Sequence, residues 1–66
     1  MCLAKAYVRD EGDPGTRLLM ENVTRVVVEG GRVRLTSLLG DAEELSGHVA
    51  SIDFSEGRLV LHSAEV

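Results

Sequence analysis

The chain has 66 residues, and its eleven acidic residues against seven Lys and Arg give it a formal charge of −4. This length is expected to form one domain, residues 1–66, with a core so thin that oligomerisation is an expected source of further burial. The acidic balance disfavours nucleic acid and anionic membranes as partners; no apolar run approaches the ~20 residues of a spanning helix, and no secretory signal is recognisable.

Apolar and polar residues alternate with period two along most of the chain, which predicts β-strands. The first predicted strand is residues 2–9, with the even-numbered residues on one face and Leu3 and Tyr7 on the other. Residues 10–15 contain Pro and Gly and predict a turn. Residues 16–20 predict a further short strand.

A hairpin is predicted next. Residues 24–29 are rich in β-branched side chains, which favour strands, and residues 32–36 alternate clearly. Gly30–Gly31 joins the two runs with the positive φ angles of a two-residue turn. The second strand should place Val33 and Leu35 on its inner face.

Residues 38–41 predict a turn, and residues 42–45 a short strand or distorted segment. A second hairpin follows, with residues 49–54 and 58–62 as strands and residues 55–57 as the turn. We expect Ala50, Ile52 and Phe54 to share a face of its first strand, and Leu59 and Leu61 to share a face of its second.

Five to six short antiparallel strands with close turns predict an all-β protein. Closing them into a small barrel would remove the exposed strand edges that invite aggregation. The pattern favours an SH3-like or OB-like barrel and leaves both open.

Sequence signatures of catalysis are missing. The chain has no phosphate-binding glycine loop, no Cys-x-x-Cys pair and no His-Glu-x-x-His run. Its acidic residues fall mainly in predicted turns and on exposed faces, where solvation explains them. We therefore expect a protein that is not an enzyme.

Cys2 is the one cysteine, and it lies beside the chain's first amine. A thiolate with backbone nitrogens is a donor set for Ni(II) or Cu(II), whereas Zn(II) prefers a tetrahedral set. With Met1 removed, one chain has too few such donors for a square plane, and two chains on a twofold axis would complete it. The alternative is a small buried hydrophobe. An unpaired cysteine also favours a reducing compartment, so a cytoplasmic protein is expected.

The two histidines are weaker candidates. His48 is in phase with the predicted face of Ala50, Ile52 and Phe54, which places it at a barrel mouth. His62 lies near the end of the chain. Either imidazole can bind a metal, but their spacing predicts no shared ion, and a structural role is the simpler interpretation.

A small basic patch is predicted on the outer face of the first hairpin, from Arg25, Arg32 and Arg34. It is compatible with RNA phosphates, or with a solvated face paired to Glu29 and Glu21. The net charge and the presence of only two aromatic residues favour the second interpretation.

Apolar residues are also predicted outside the barrel. Leu3 and Tyr7 lie opposite the inner face of the first strand, and Val27 and Val60 are further apolar candidates for the outer faces of other strands. Such a patch is typical of a partner surface, and we expect a homodimer interface. A protein-interaction module independent of metal is the alternative.

The chain resembles the CooT family, which assists nickel insertion into carbon monoxide dehydrogenase. The resemblance begins with Met1-Cys2-Leu3-Ala4-Lys5, similar to the family's Met-Cys-x-Ala-Lys start. It continues through residues 20–23 (Met-Glu-Asn-Val), 29–31 (Glu-Gly-Gly) and 35–40 (Leu-Thr-Ser-Leu-Leu-Gly).

The resemblance implies a homodimer of SH3-like barrels that shares one Ni(II) ion. The family's metal-binding cysteine falls on Cys2, and no other ligand transfers to a position of this sequence. The implied partner is a nickel enzyme such as carbon monoxide dehydrogenase or its maturation machinery, and the implied role is delivery or storage of nickel.

Overall fold

The computed structural model describes residues 3–10, 12 and 15–64. Five strands form one closed barrel in chain order. Their bounds are β1 Ala4–Arg9, β2 Arg17–Glu29, β3 Arg32–Ser37, β4 Ala42–Asp53 and β5 Arg58–Ser63. Within these described ranges there is no helix of the length and apolarity that crossing a membrane requires.

The predicted all-β barrel is confirmed, and its strand order decides the topology. Each strand pairs with the next along the chain, all antiparallel, and β1 closes the ring by pairing with β5 in parallel. The β1–β5 junction is parallel because five strands of alternating direction give the first and the last the same direction. A ring of consecutive neighbours is a meander, which favours the SH3-like alternative over the Greek-key OB barrel.

Two strands are much longer than predicted. The expected separate strands at residues 16–20 and 24–29 are parts of β2, which has 13 residues. Asn22 has a φ of 58°, and the register against β3 shifts between Val23 and Arg25. Such irregularities bend a strand, so β2 can pair with β1 at one end and β3 at the other.

The hairpin at Gly30–Gly31 is confirmed. Glu29 pairs with Arg32 across the turn, and the two glycines have φ angles of 57° and 76°. Two successive positive φ angles match the twist of the flanking strands and fix their register.

The core lies inside the ring and takes residues from four strands. Val33, Leu35, Leu59 and Leu61 are buried on the faces that the alternation predicts. The inner face of β1 is also as predicted. The buried apolar side chains are Ala6, Val8, Met20, Val23, Val33, Leu35, Leu59 and Leu61.

The phase predicted for the first strand of the second hairpin is wrong. The expected segment at residues 42–45 and the strand from residue 49 are one strand, β4, of 12 residues. Its register against β5 shifts between Val49 and Ser51. This bulge moves Ile52 to the inner side, opposite buried Leu59, and leaves His48 on the outer side. A single extra residue reverses the facing of everything beyond it.

Candidate functional site

The start of β1 closely follows Cys2, the predicted metal ligand, in the sequence. Cys2 itself lies outside the described residues. Leu3 is exposed, and the Lys5 amide donates a hydrogen bond to the Gly57 carbonyl oxygen at 2.8 Å. The turn between β4 and β5 therefore lies directly against the beginning of β1.

An apolar cavity of about 280 Å³ opens beside this start. Ile52 is 48% exposed and Phe54 is 85% exposed, although both are large apolar side chains. Thr24, Arg25, Asp53 and Arg58 contribute its polar rim. We call this cavity the barrel mouth; its apolar lining is Ala4, Val23, Val26, Ile52, Phe54 and Leu59.

Asp53 organises the turn that carries Phe54. One carboxylate oxygen accepts hydrogen bonds from the Ser55 amide (3.0 Å), the Ser55 hydroxyl (2.7 Å) and the Glu56 amide (3.1 Å). The Ser55 hydroxyl and the Glu56 amide lower the pKa of Asp53 from 3.8. Such side-chain-to-backbone bonds favour turns, so the exposed Phe54 is held on an ordered turn.

The predicted interface at Leu3 and Tyr7 is less exposed than the barrel mouth. Both residues lie on the outer face as expected, but the Arg58 guanidinium covers the Tyr7 ring at 4.6 Å from its centroid. Val27 and Val60 are half-buried. The homodimer remains a prediction, and the mouth offers it more exposed apolar surface.

The predicted basic patch lines an outer groove of about 590 Å³ across β2, β3 and β4. Arg25, Arg32 and Arg34 are exposed there, as expected. Glu29 is opposite Arg32, and Glu44 is opposite Arg34. Arg32 Nε also lies 3.6 Å from a carboxylate oxygen of Glu44, a partner that the sequence did not predict. Because positively and negatively charged side chains alternate across this groove, it is more typical of a solvated face than of a phosphate-binding one.

The structure brings the two histidines together, which the sequence did not predict. His48 is directly opposite His62 on β5, and their ring centroids are 5.1 Å apart. Without the bulge after Val49, the register at the turn would pair His62 with Val49 instead. The pairing of the two histidines therefore depends on both the length of the β4–β5 turn and the bulge.

The family model described as "CO dehydrogenase accessory protein CooT" matches residues 1–62. The chain belongs to the CooT family. The matched range contains Cys2, both histidines and every residue of the barrel mouth. CooT is a family of accessory proteins of carbon monoxide dehydrogenase and not of enzymes, which agrees with the expectation from the sequence.

Two further comparisons accompany this assignment to CooT. An uncharacterized protein of Archaeoglobus fulgidus is 40% identical over 42 residues, which are 64% of this chain and 93% of the relative. The crystal structure of a Carboxydothermus hydrogenoformans protein assigned to CooT matches 97% of this chain and 100% of its own, with a TM-score of 0.83 and 16% identity. At that identity the match establishes a shared fold.

Cys2, which precedes β1 in the sequence, stays the predicted metal ligand of this CooT protein. Among the described residues, no group of three or more His, Cys, Asp and Glu side chains is positioned to hold an ion. The Cys2 thiolate with neighbouring backbone nitrogens is a donor set that fits Ni(II).

Proposed function

We propose that this CooT protein binds Ni(II) as a homodimer and carries the ion for carbon monoxide dehydrogenase. Cys2 of each chain is the thiolate ligand in this proposal. Membership of an accessory family of that enzyme is the observation that carries it. The single cysteine also favours a cytoplasmic location, where thiols stay reduced.

Nickel is the cargo in this proposal. Thiolate and deprotonated backbone nitrogen are strong-field donors that favour square-planar Ni(II) over tetrahedral Zn(II). One thiolate and one nitrogen from each chain make a complete N2S2 plane. Because those donors lie before the first strand, a partner can reach the ion without unfolding the barrel.

The barrel mouth supports the homodimer. Ala4 lines the mouth, and chain geometry keeps the Cα atoms of Cys2 and Ala4 within about 7.6 Å of each other. A second copy that covers Phe54 and Ile52 would therefore bring two Cys2 residues towards one axis. Such a twofold interface would bury the apolar side chains that one chain leaves exposed.

A nickel titration tests this proposal. We expect reduced protein to develop thiolate-to-nickel absorption bands that saturate at half an equivalent of Ni(II) per chain, because two chains share one ion. Cys2→Ser should abolish the bands. His48→Ala is the matched control and should keep them, because His48 on β4 pairs with His62, at the end of β5 that lies away from the mouth. Bands that survive in Cys2→Ser would count against the proposal.

A metal-independent interaction module is the second candidate, and the exposed Phe54 favours it. In that case the protein would form a dimer or bind a partner equally well with Cys2→Ser and in the presence of a chelator. The same variant thus separates the two functions.

A further inference from the structure

Two imidazoles lie side by side on the outer face of the barrel. His48 on β4 is directly opposite His62 on β5, with ring centroids 5.1 Å apart and ring planes at 75°. Leu61, the neighbour of His62, is buried, so alternation turns the imidazoles away from the core. His48 is exposed and His62 is half-buried.

The spacing of these rings matches that of two ligands on one ion. Residues directly opposite in an antiparallel pair have Cβ atoms about 4.5–5.5 Å apart. With metal–nitrogen bonds of about 2.0–2.1 Å, two imidazoles on one ion have ring centres roughly 4.5–5.5 Å apart. The observed 5.1 Å lies within that range.

We propose that His48 and His62 form a two-imidazole site for a divalent transition-metal ion of the Zn(II), Ni(II) and Cu(II) class. Imidazole is a preferred ligand of these ions. One nitrogen of each ring binds the ion, and a hydrogen bond at the other nitrogen orients the ring. Water completes the coordination.

The surroundings make this a weak, exchangeable site. In the described part of the chain, no third His, Cys, Asp or Glu joins the two imidazoles in a ligand cluster. Arg9 on β1 is the register partner of His62 and adds a positive charge nearby. Two ligands beside a cation release an ion more readily than a closed site with four protein ligands.

The site is separate from the proposed nickel site and does not depend on it. Lys5 at the start of β1 is beside Arg58, whereas Arg9 is beside His62. Four residues of strand at 3.3 Å each separate these two levels by about 13 Å. The histidine pair therefore lies towards the opposite end of the barrel from the start of β1 in the same chain.

The test uses the full chain with Cys2→Ser, so that no thiolate competes for the ion. Zn(II) is added while the ring resonances of both histidines are recorded by nuclear magnetic resonance. We expect both sets to shift together and to saturate at one Zn(II) per chain. His48→Ala should weaken the affinity reported by His62 at least about tenfold, the scale on which even a supporting partner of a metal ligand acts.

Glu44→Gln is the matched control, an exposed acidic position on the same strand, and should leave the affinity unchanged. The site is refuted if only one ring responds, or if adding His48→Ala to the Cys2→Ser protein leaves its affinity for Zn(II) unchanged. In that case the pair is an edge-to-face ring contact. Such a failure leaves the Cys2 proposal intact, because that proposal is read from thiolate bands in the natural sequence.

Discussion

Gly47 is the position at which one added methyl group should damage the barrel most selectively. It is buried, it has a φ of 150°, and it pairs with Ser63 where β4 meets β5. A Cβ atom built there would overlap the carbonyl oxygen of His62 and lie 3.1 Å from the Ala64 amide nitrogen. Both obstacles are backbone atoms, so no side chain can rotate away.

The cost of Gly47→Ala has two parts. A side chain in this φ region costs about 1–3 kcal/mol, and forcing atoms into a packed site costs about 1–3 kcal/mol more. A chain of this size has a free energy of unfolding of about 3–10 kcal/mol. The substitution should therefore remove a large part of the stability of the fold.

Gly30→Ala is the matched control, because Gly30 also has a positive φ, 57°, but has open space at its Cβ position. It should lose only the conformational part, about 1–2 kcal/mol. In urea unfolding, the midpoint of Gly47→Ala should fall below that of Gly30→Ala by about 1 M or more, given slopes near 1 kcal/mol/M. Equal losses would refute the close approach of β4 to β5.

Three further perturbations test other parts of the account. Leu35→Ala removes a fully buried side chain and should lower the free energy of unfolding by about 2–5 kcal/mol in urea titration; a loss below 1 kcal/mol would contradict its place in the core. Asp53 has a lowered pKa, so its carboxylate stabilises the fold fully above its ordinary pKa and loses this effect as pH falls through the lower folded pKa. Asp53→Asn should therefore flatten the decline of the melting temperature as pH falls below the ordinary pKa of 3.8, and an unchanged slope would contradict the hydrogen bonds of this turn. Phe54→Ser should shift the species seen by sedimentation from dimer to monomer. The far-ultraviolet circular dichroism spectrum should change little, because Phe54 is 85% exposed. A dimer that survives this substitution would exclude the mouth as the interface.

The features that could be predicted from the sequence are those that a few neighbouring residues determine. Gly30–Gly31 could be recognised because two adjacent glycines match a two-residue turn. The inner faces of β3 and β5 could be recognised because each strand keeps one alternation from end to end. Val33, Leu35, Leu59 and Leu61 are buried accordingly.

What the sequence did not predict depends on irregularities in the long strands. Asn22 bends β2 without interrupting it, so one strand was predicted as two. The bulge after Val49 leaves no local signature, yet it exposes His48 beside His62 and turns Ile52 towards the barrel mouth. The parallel closure follows only from counting five strands in a ring, and that number is settled by tertiary pairing.

The central claim is that two chains hold one nickel ion through Cys2. Native mass spectrometry of the Ni(II)-loaded His48→Ala protein tests it most directly, because the mass counts chains and ions together and the histidine pair can add no ion of its own in this variant. The account predicts a species of two chains with one nickel, and its loss in Cys2→Ser. A monomer that carries its own nickel, or a nickel-bound dimer that persists in Cys2→Ser, would contradict it.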